Sequence, residues 1–143
     1  MTAGRQFHTQ QTHYICAELE YSDFTVSGGT VDIGVIPKGA MMKGWSATLQ
    51  TAFTSTSSSL PLFVVGTDQA GESARFLTTT GIGLATTGFY SGTTGAGVAT
   101  VDLIIRAQLS QGALAAMPTT GKLVYALEYI PPNDNKNLLS TFN

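Results

Sequence analysis

"TVDIGVIPKGAMMKGWSATLQTAF", Thr30 to Phe53, places two alternating apolar stretches on either side of a Pro37-Lys38-Gly39 turn. In the first, Val31, Ile33 and Val35 share a face opposite Asp32. In the second, Trp45, Ala47, Leu49, Thr51 and Phe53 share a face opposite Ser46, Thr48 and Gln50. Successive side chains of a strand point to opposite sides, so a period of two predicts two β-strands, each with one face in a core. Pro37 pre-sets φ and Gly39 tolerates a positive φ, which predicts a tight turn and hence a hairpin. This stretch contains no recognisable catalytic motif.

The same period recurs along the chain. In "YICAELEY" Ile15, Ala17, Leu19 and Tyr21 face inward, and Glu18 and Glu20 face solvent. "TVDLIIRAQL" sends Val101, Leu103, Ile105, Ala107 and Leu109 inward, and "KLVYALEYI" does so with Leu123, Tyr125, Leu127 and Tyr129. "LPLFVVG" and "ARFLTT" predict shorter strands, and "GIGLATTGFY" a weak one. Turn clusters such as "SGGT", "GTDQAGE" and "YSGTTGAG" separate them. The one helix candidate, "LSQGALAAMP", is cut short by Gly112 and Pro118. Seven or eight one-faced strands imply an all-β domain of two packed sheets or a closed barrel, and the expected form is a single antiparallel β-sandwich of jelly-roll type. Its core is expected to hold Trp45, Leu49, Phe53, Leu103, Ile105, Tyr125 and Leu127.

The expected organisation is an N-terminal arm over 1–13, the sandwich over 14–131 and a C-terminal tail over 132–143. Each terminal segment carries large apolar side chains that have no place in a strand pattern: Phe7 in the first, and Leu138, Leu139 and Phe142 in the second. These are expected to pack on the chain's own sandwich or to clasp a neighbouring subunit. "TSTSSSL" is low-complexity and reads as a loop.

Composition narrows the function. At 143 residues the chain is the size of one domain, and only 11% of it is charged, with a formal net charge of −2. No positive field gathers phosphates, so no nucleic acid is expected as a partner. No apolar run approaches the roughly 20 residues of a membrane helix, and the first residues lack the apolar region of a secretory signal, so no membrane is expected either. The single cysteine, Cys16, forms no internal disulfide and reads as a buried, inert thiol.

Catalytic chemistry finds few candidates. The two histidines, His8 and His13, fall in the arm, and no nucleophile–base motif occurs. His8, His13 and Cys16 match no zinc spacing, and "GTDQAGE" offers only Asp68 and Glu72 for calcium. Glu18 and Glu20 lie two residues apart on a solvent face rather than across a cleft. No enzyme activity, cofactor or metal is expected. Phe89, Tyr90 and Arg75 could stack on sugars; the reading preferred here is that Phe89 and Tyr90 end a strand and cap the core. A structural subunit fits the scarcity of charge, because interfaces deplete Lys, Glu and Asp.

"VDIGVIPKGAMMKGWSATLQTAF" and the closing "KLVYALEYIPPND" resemble small virion proteins of tailed bacteriophages, in which an "IG-x-IP-x-GA" stretch joins two core strands. The resemblance covers about a third of the chain and is closest to capsid decoration (cement) proteins. It implies a β-sandwich that binds the major capsid protein on the virion surface, assembled in the host cytoplasm as a dimer or trimer. It implies an architectural role for Ile33, Gly34, Ile36, Pro37 and Gly39 in the hairpin, and it brings no catalytic residue. A head–tail connector or tail subunit, and a carbohydrate- or receptor-binding module, are the alternative readings.

Overall fold

A computed structural model describes residues 11–24, 30–54, 62–77, 82, 84–110 and 118–132. Among these residues there are eight strands: β1 (His13–Glu20), β2 (Thr30–Ile36), β3 (Met41–Thr54), β4 (Leu62–Thr67), β5 (Gly88–Gly92), β6 (Gly97–Val98), β7 (Leu103–Ser110) and β8 (Thr120–Ile130). They build two antiparallel sheets, one in the order β1-β8-β3-β5 with β6 also on β3, the other in the order β2-β7-β4. An isolated bridge from Val65 to Leu77 extends the second sheet beyond β4.

The pairings are nested. β1 pairs with β8, β2 with β7, β3 with β5 and β6, and β4 with the bridge at Leu77. A long antiparallel ribbon rolled up on itself produces this order, and the chain changes sheet between successive strands at every step except β5 to β6, which both pair with β3. That is a jelly roll, an all-β sandwich.

Nesting overturns the expected hairpin between Thr30 and Phe53. β2 and β3 do not pair; they belong to different sheets, and the turn between them carries the chain across the sandwich. The Ala40 amide donates to the Pro37 carbonyl at 3.1 Å, and Gly39 has φ +86° while Lys38 has a negative φ. A positive φ at the third position alone marks a type II turn, whose twist does not match that of a two-stranded ribbon, unlike the primed turns of hairpins. Pro37 and Gly39 therefore make a corner. The Gly34 backbone in β2 approaches Ile15 of β1 closely, and Ile36 is fully buried beside the corner.

The core forms between the two sheets from Ile15, Leu19, Phe24, Ile36, Met42, Trp45, Leu49, Phe53, Phe63, Leu103, Ile105, Leu123, Tyr125 and Leu127, among others. The Trp45 and Tyr125 rings stack at 6.2 Å with 18° between their planes. Where the period of two fails, irregular pairing explains it. A register shift between Asp32 and Gly34 leaves Val31 and Ile33 half-buried against the core and turns Val35 out to 58% exposure. Shifts on either side of Thr51 return Phe53 to the core while leaving Thr51 in solvent.

Other expectations are corrected as well. Tyr21 is exposed because the chain leaves β1 in a 3-10 turn over Tyr21–Asp23, where the Asp23 carboxylate accepts the Glu20 amide at 2.8 Å. Val101 precedes β7 and is exposed. Cys16 is exposed, not buried, because it shares the outer face of β1 with Glu18 and Glu20. Of "ARFLTT", only the bridge at Leu77 is strand-like among the described residues. His13, read as part of an arm, opens β1. "TSTSSSL" lies outside the described residues except for Thr54, and so does the helix candidate except for Leu109 and Ser110, which end β7, and Pro118.

Candidate docking face

Jelly-roll winding leaves the outer face of the β1-β8-β3-β5 sheet uncovered by any described segment. Antiparallel register sets out its side chains in cross-strand rows. Glu20, Lys122 and Thr51 form one row; Glu18, Val124, Thr48 and Phe89 the next; Cys16, Ala126, Ser46 and Ser91 the third. Tyr14 and Glu128 follow beside Gly44, and Ile130, Met41 and Val98 make the last row at the end of the sheet. The middle of the face is thus small and uncharged, and its margins carry exposed Tyr14 (63%) and Phe89 (69%).

Every charge on this face has its partner within the face. Lys43 Nζ lies 2.7 Å from Glu128 Oε1. Lys122 Nζ lies 2.6 Å from Glu18 and 3.5 Å from Glu20. Hydrogen bonding to Glu128 raises the Lys43 pKa, and hydrogen bonding to Glu18 raises that of Lys122. Both lysines stay charged at neutral pH. The pairs leave little unbalanced charge for an incoming group to meet. Exposed pairs of this kind add only about 0–1 kcal/mol to stability, so their main consequence is electrostatic: two lysines against Glu18, Glu20 and Glu128 leave the face close to neutral, with one glutamate in excess.

A bulge shapes the face. Met42 opposes Tyr129, yet Gly44 opposes Glu128, so two residues of β3 meet one of β8 and both Lys43 and Gly44 stand outward. An open depression of about 360 Å³ results, with Gly44, Gly92 and Ala126 low in it and Tyr14, Ser46, Ser91 and Thr93 around it. A Cβ at Gly44 would come within 2.8 Å of the Gly92 carbonyl oxygen, so β5 lies against bare backbone here.

The hairpin and core residues singled out from sequence fall elsewhere. Ile33, Gly34, Ile36, Pro37 and Gly39 belong to β2 and the corner; Trp45, Leu49, Phe53, Leu103, Ile105, Tyr125 and Leu127 are buried between the sheets. Phe7, Leu138, Leu139 and Phe142 lie outside the described residues. Phe89 and Tyr90 do not cap the core together. Phe89 points outward, while Tyr90 packs against the core and its hydroxyl donates to the Thr86 carbonyl at 2.7 Å. Adjacent strand residues face opposite ways, so these two rings cannot form one platform. Arg75 is engaged with Glu72 at 2.9 Å and lies over the Phe76 ring. No cluster of three or more His, Cys, Asp or Glu side chains suited to a metal occurs among the described residues.

Sequence reasoning passed over the outer face because its signal is an absence of charge along alternate positions, which no short motif encodes. The rows of small residues appear only once β1, β8, β3 and β5 are set side by side.

No family model matches the sequence, and no curated protein matches it. Experimental structures do match its fold. A chain of the "Cyanophage Pam1 capsid asymmetric unit" superposes with a TM-score of 0.65 at 17% identity, covering 92% of this chain and 93% of that one. A chain of the acid-stable capsid of Helicobacter pylori bacteriophage KHP30 gives 0.61 at 15% identity, over 87% and 92%. A chain of the capsid of Ralstonia phage GP4 gives 0.57 at 13% identity, over 94% and 92%. Near-complete coverage in both directions means that the whole sandwich is shared with chains found in phage capsids, and the likeness is one of fold.

Proposed function

We propose that this protein is a non-enzymatic structural subunit of a bacteriophage virion that decorates the capsid, bridging neighbouring copies of the major capsid protein as a homo-oligomer. The observation that carries the reading is the near-complete correspondence of its fold to chains of three phage capsids. The uncovered sheet face supports it, since its middle row of Cys16, Ala126, Ser46 and Ser91 is uncharged and interface centres are poor in Lys, Glu and Asp. So does the sequence resemblance of Val31–Phe53 and of the last strand to virion proteins. Many equivalent weak contacts suffice for such a subunit, because avidity multiplies them across a shell. A head–tail connector or tail subunit would use the same fold in far fewer copies.

Purified protein mixed with expanded, undecorated phage shells is expected to give ordered density at local symmetry axes by cryo-electron microscopy. Hundreds of bound copies per particle fit decoration. A single ring at one vertex would replace it by the connector reading, and no bound copies would reject both positions on the shell.

A further inference from the structure

β8 ends at the same end of the outer face as the depression. Ile130, the last residue of β8, opposes Met41, which on its other side opposes Val98. Met41 and Val98 are about half exposed, so an apolar row crosses the face at this end. The depression lies one row further in, beside Glu128. Its Lys43–Glu128 pair is already mutually satisfied, and the close approach at Gly44 leaves no side chain of its own to fill the space. A surface of this kind fits an electrically neutral segment carrying bulky apolar side chains.

The segment that follows Pro132, "NDNKNLLSTFN", has that chemistry: Asp134 and Lys136 cancel, and Leu138, Leu139 and Phe142 follow. Pro132 sits against the corner, with its Cβ 3.2 Å from where a Cβ of Gly39 would stand. The chain is therefore heading past the corner, away from Met41 and from its own depression. An extended chain covers at most about 3.3 Å per residue, so six residues from Pro132 to Leu138 could span roughly 20 Å, enough to meet a neighbour.

We propose that the depression and the Met41–Val98–Ile130 row receive the C-terminal segment 133–143 of a second copy of this chain. The proposal deepens the reading of the protein as a homo-oligomeric subunit by naming its self-association site. Self-association is measured without any capsid, so its failure leaves the capsid reading standing.

Cys16 supplies the test, because it is exposed on this face, opposite Ala126 at the edge of the depression, and is the only cysteine. A Phe142→Cys variant is oxidised mildly and run on a non-reducing gel. The expected product is a disulfide-linked dimer that returns to 15.0 kDa on reduction and does not form when Cys16→Ser is added. In sedimentation, removal of residues 133–143 and, separately, Ser46→Trp to fill the depression are each expected to weaken association at least tenfold. A link between Cys16 and the new thiol within one chain would overturn the proposal in favour of a tail folded back on its own sandwich. Full-length protein that is monomeric at high micromolar concentration, or no link to Cys16, would overturn it outright.

Discussion

The Gly39 amide donates to the Ala99 carbonyl at 2.7 Å, joining two crossovers that are 60 residues apart in sequence. The Ala99 amide in turn donates to the Ala40 carbonyl at 2.9 Å, and Asp102 accepts the Lys38 amide at 2.8 Å. One crossover links β2 to β3, the other β6 to β7, and the strands they join pair with each other in both sheets. The rolled ribbon is therefore fastened where it changes sheets.

Gly39 is the position at which this corner is most easily broken. Its φ of +86° costs an L-residue roughly 1–2 kcal/mol, and a Cβ would also press on Pro132. Gly39→Ala is expected to lose stability of that order in urea unfolding. Pro37→Ala, which only frees the unfolded chain, should lose about 1 kcal/mol or less. Equal losses in the two variants would show that the left-handed backbone is not the critical feature.

Tyr125 presents the opposite case. Its hydroxyl is buried between the sheets with no partner among the described residues, and burial pushes its pKa well above the usual phenol value. A buried unsatisfied hydroxyl costs about 1–3 kcal/mol, so Tyr125→Phe, which keeps the ring stacked on Trp45, is expected to be neutral or more stable by about 1 kcal/mol. A clear loss of stability would mean that an internal water bonds the hydroxyl.

These two residues mark what the sequence carries and what it does not. Alternation is local, so the inward face of β8 at Leu123, Tyr125 and Leu127 follows from seven consecutive residues. Partner choice is non-local. "VIPKGAMM" has the punctuation of a hairpin, and only the pairing of β2 with β7, some 70 residues on, makes it a corner. Bulges at Asp32–Gly34 and around Thr51 likewise arise from pairing, and they are why Val35 and Thr51 face solvent against the period. The docking face was the least legible part, since Cys16, Ala126, Ser46 and Ser91 come from four strands and carry no chemistry individually.

Trp45 tests the core assignment of β3. It is buried, opposes Leu127 and stacks on Tyr125. Removal of so large a side chain leaves a cavity, and Trp45→Ala is expected to cost roughly 3–5 kcal/mol in denaturant unfolding. A cost below about 1 kcal/mol would place the indole outside the core.

Phe89 separates docking from folding. At 69% exposure its ring contributes little to the core, so Phe89→Ser should leave stability within about 0.5 kcal/mol of the parent. If the outer face meets the shell, the same variant should bind undecorated shells more weakly, because exposed aromatics commonly anchor interfaces. Unchanged binding would direct attention to the other sheet, where Val35 is the exposed apolar side chain on β2.

Asp68 sets an acid limit on the fold. Its Oδ1 accepts the Ile104 amide at 3.0 Å while its own amide donates to the Ile104 carbonyl at 3.1 Å, which clips the loop after β4 onto β7. The bond from Ile104 is the main reason its carboxyl pKa is lowered. Glu72 is lowered too, by the Thr67 hydroxyl first and then by Arg75. A carboxylate whose folded pKa lies below its unfolded value of about 3.9 binds fewer protons in the native state, so its contribution is complete above that value. The contribution fades as pH falls through the lower folded pKa. Asp68→Asn keeps an acceptor for Ile104 but no charge, so the parent should exceed it in stability by a constant margin from neutral pH down to about 5. Below about pH 4 the margin should shrink towards zero. Urea unfolding of both proteins across this range decides the matter, and a margin that persists unchanged at the lowest pH would show that the Asp68 charge is not its source.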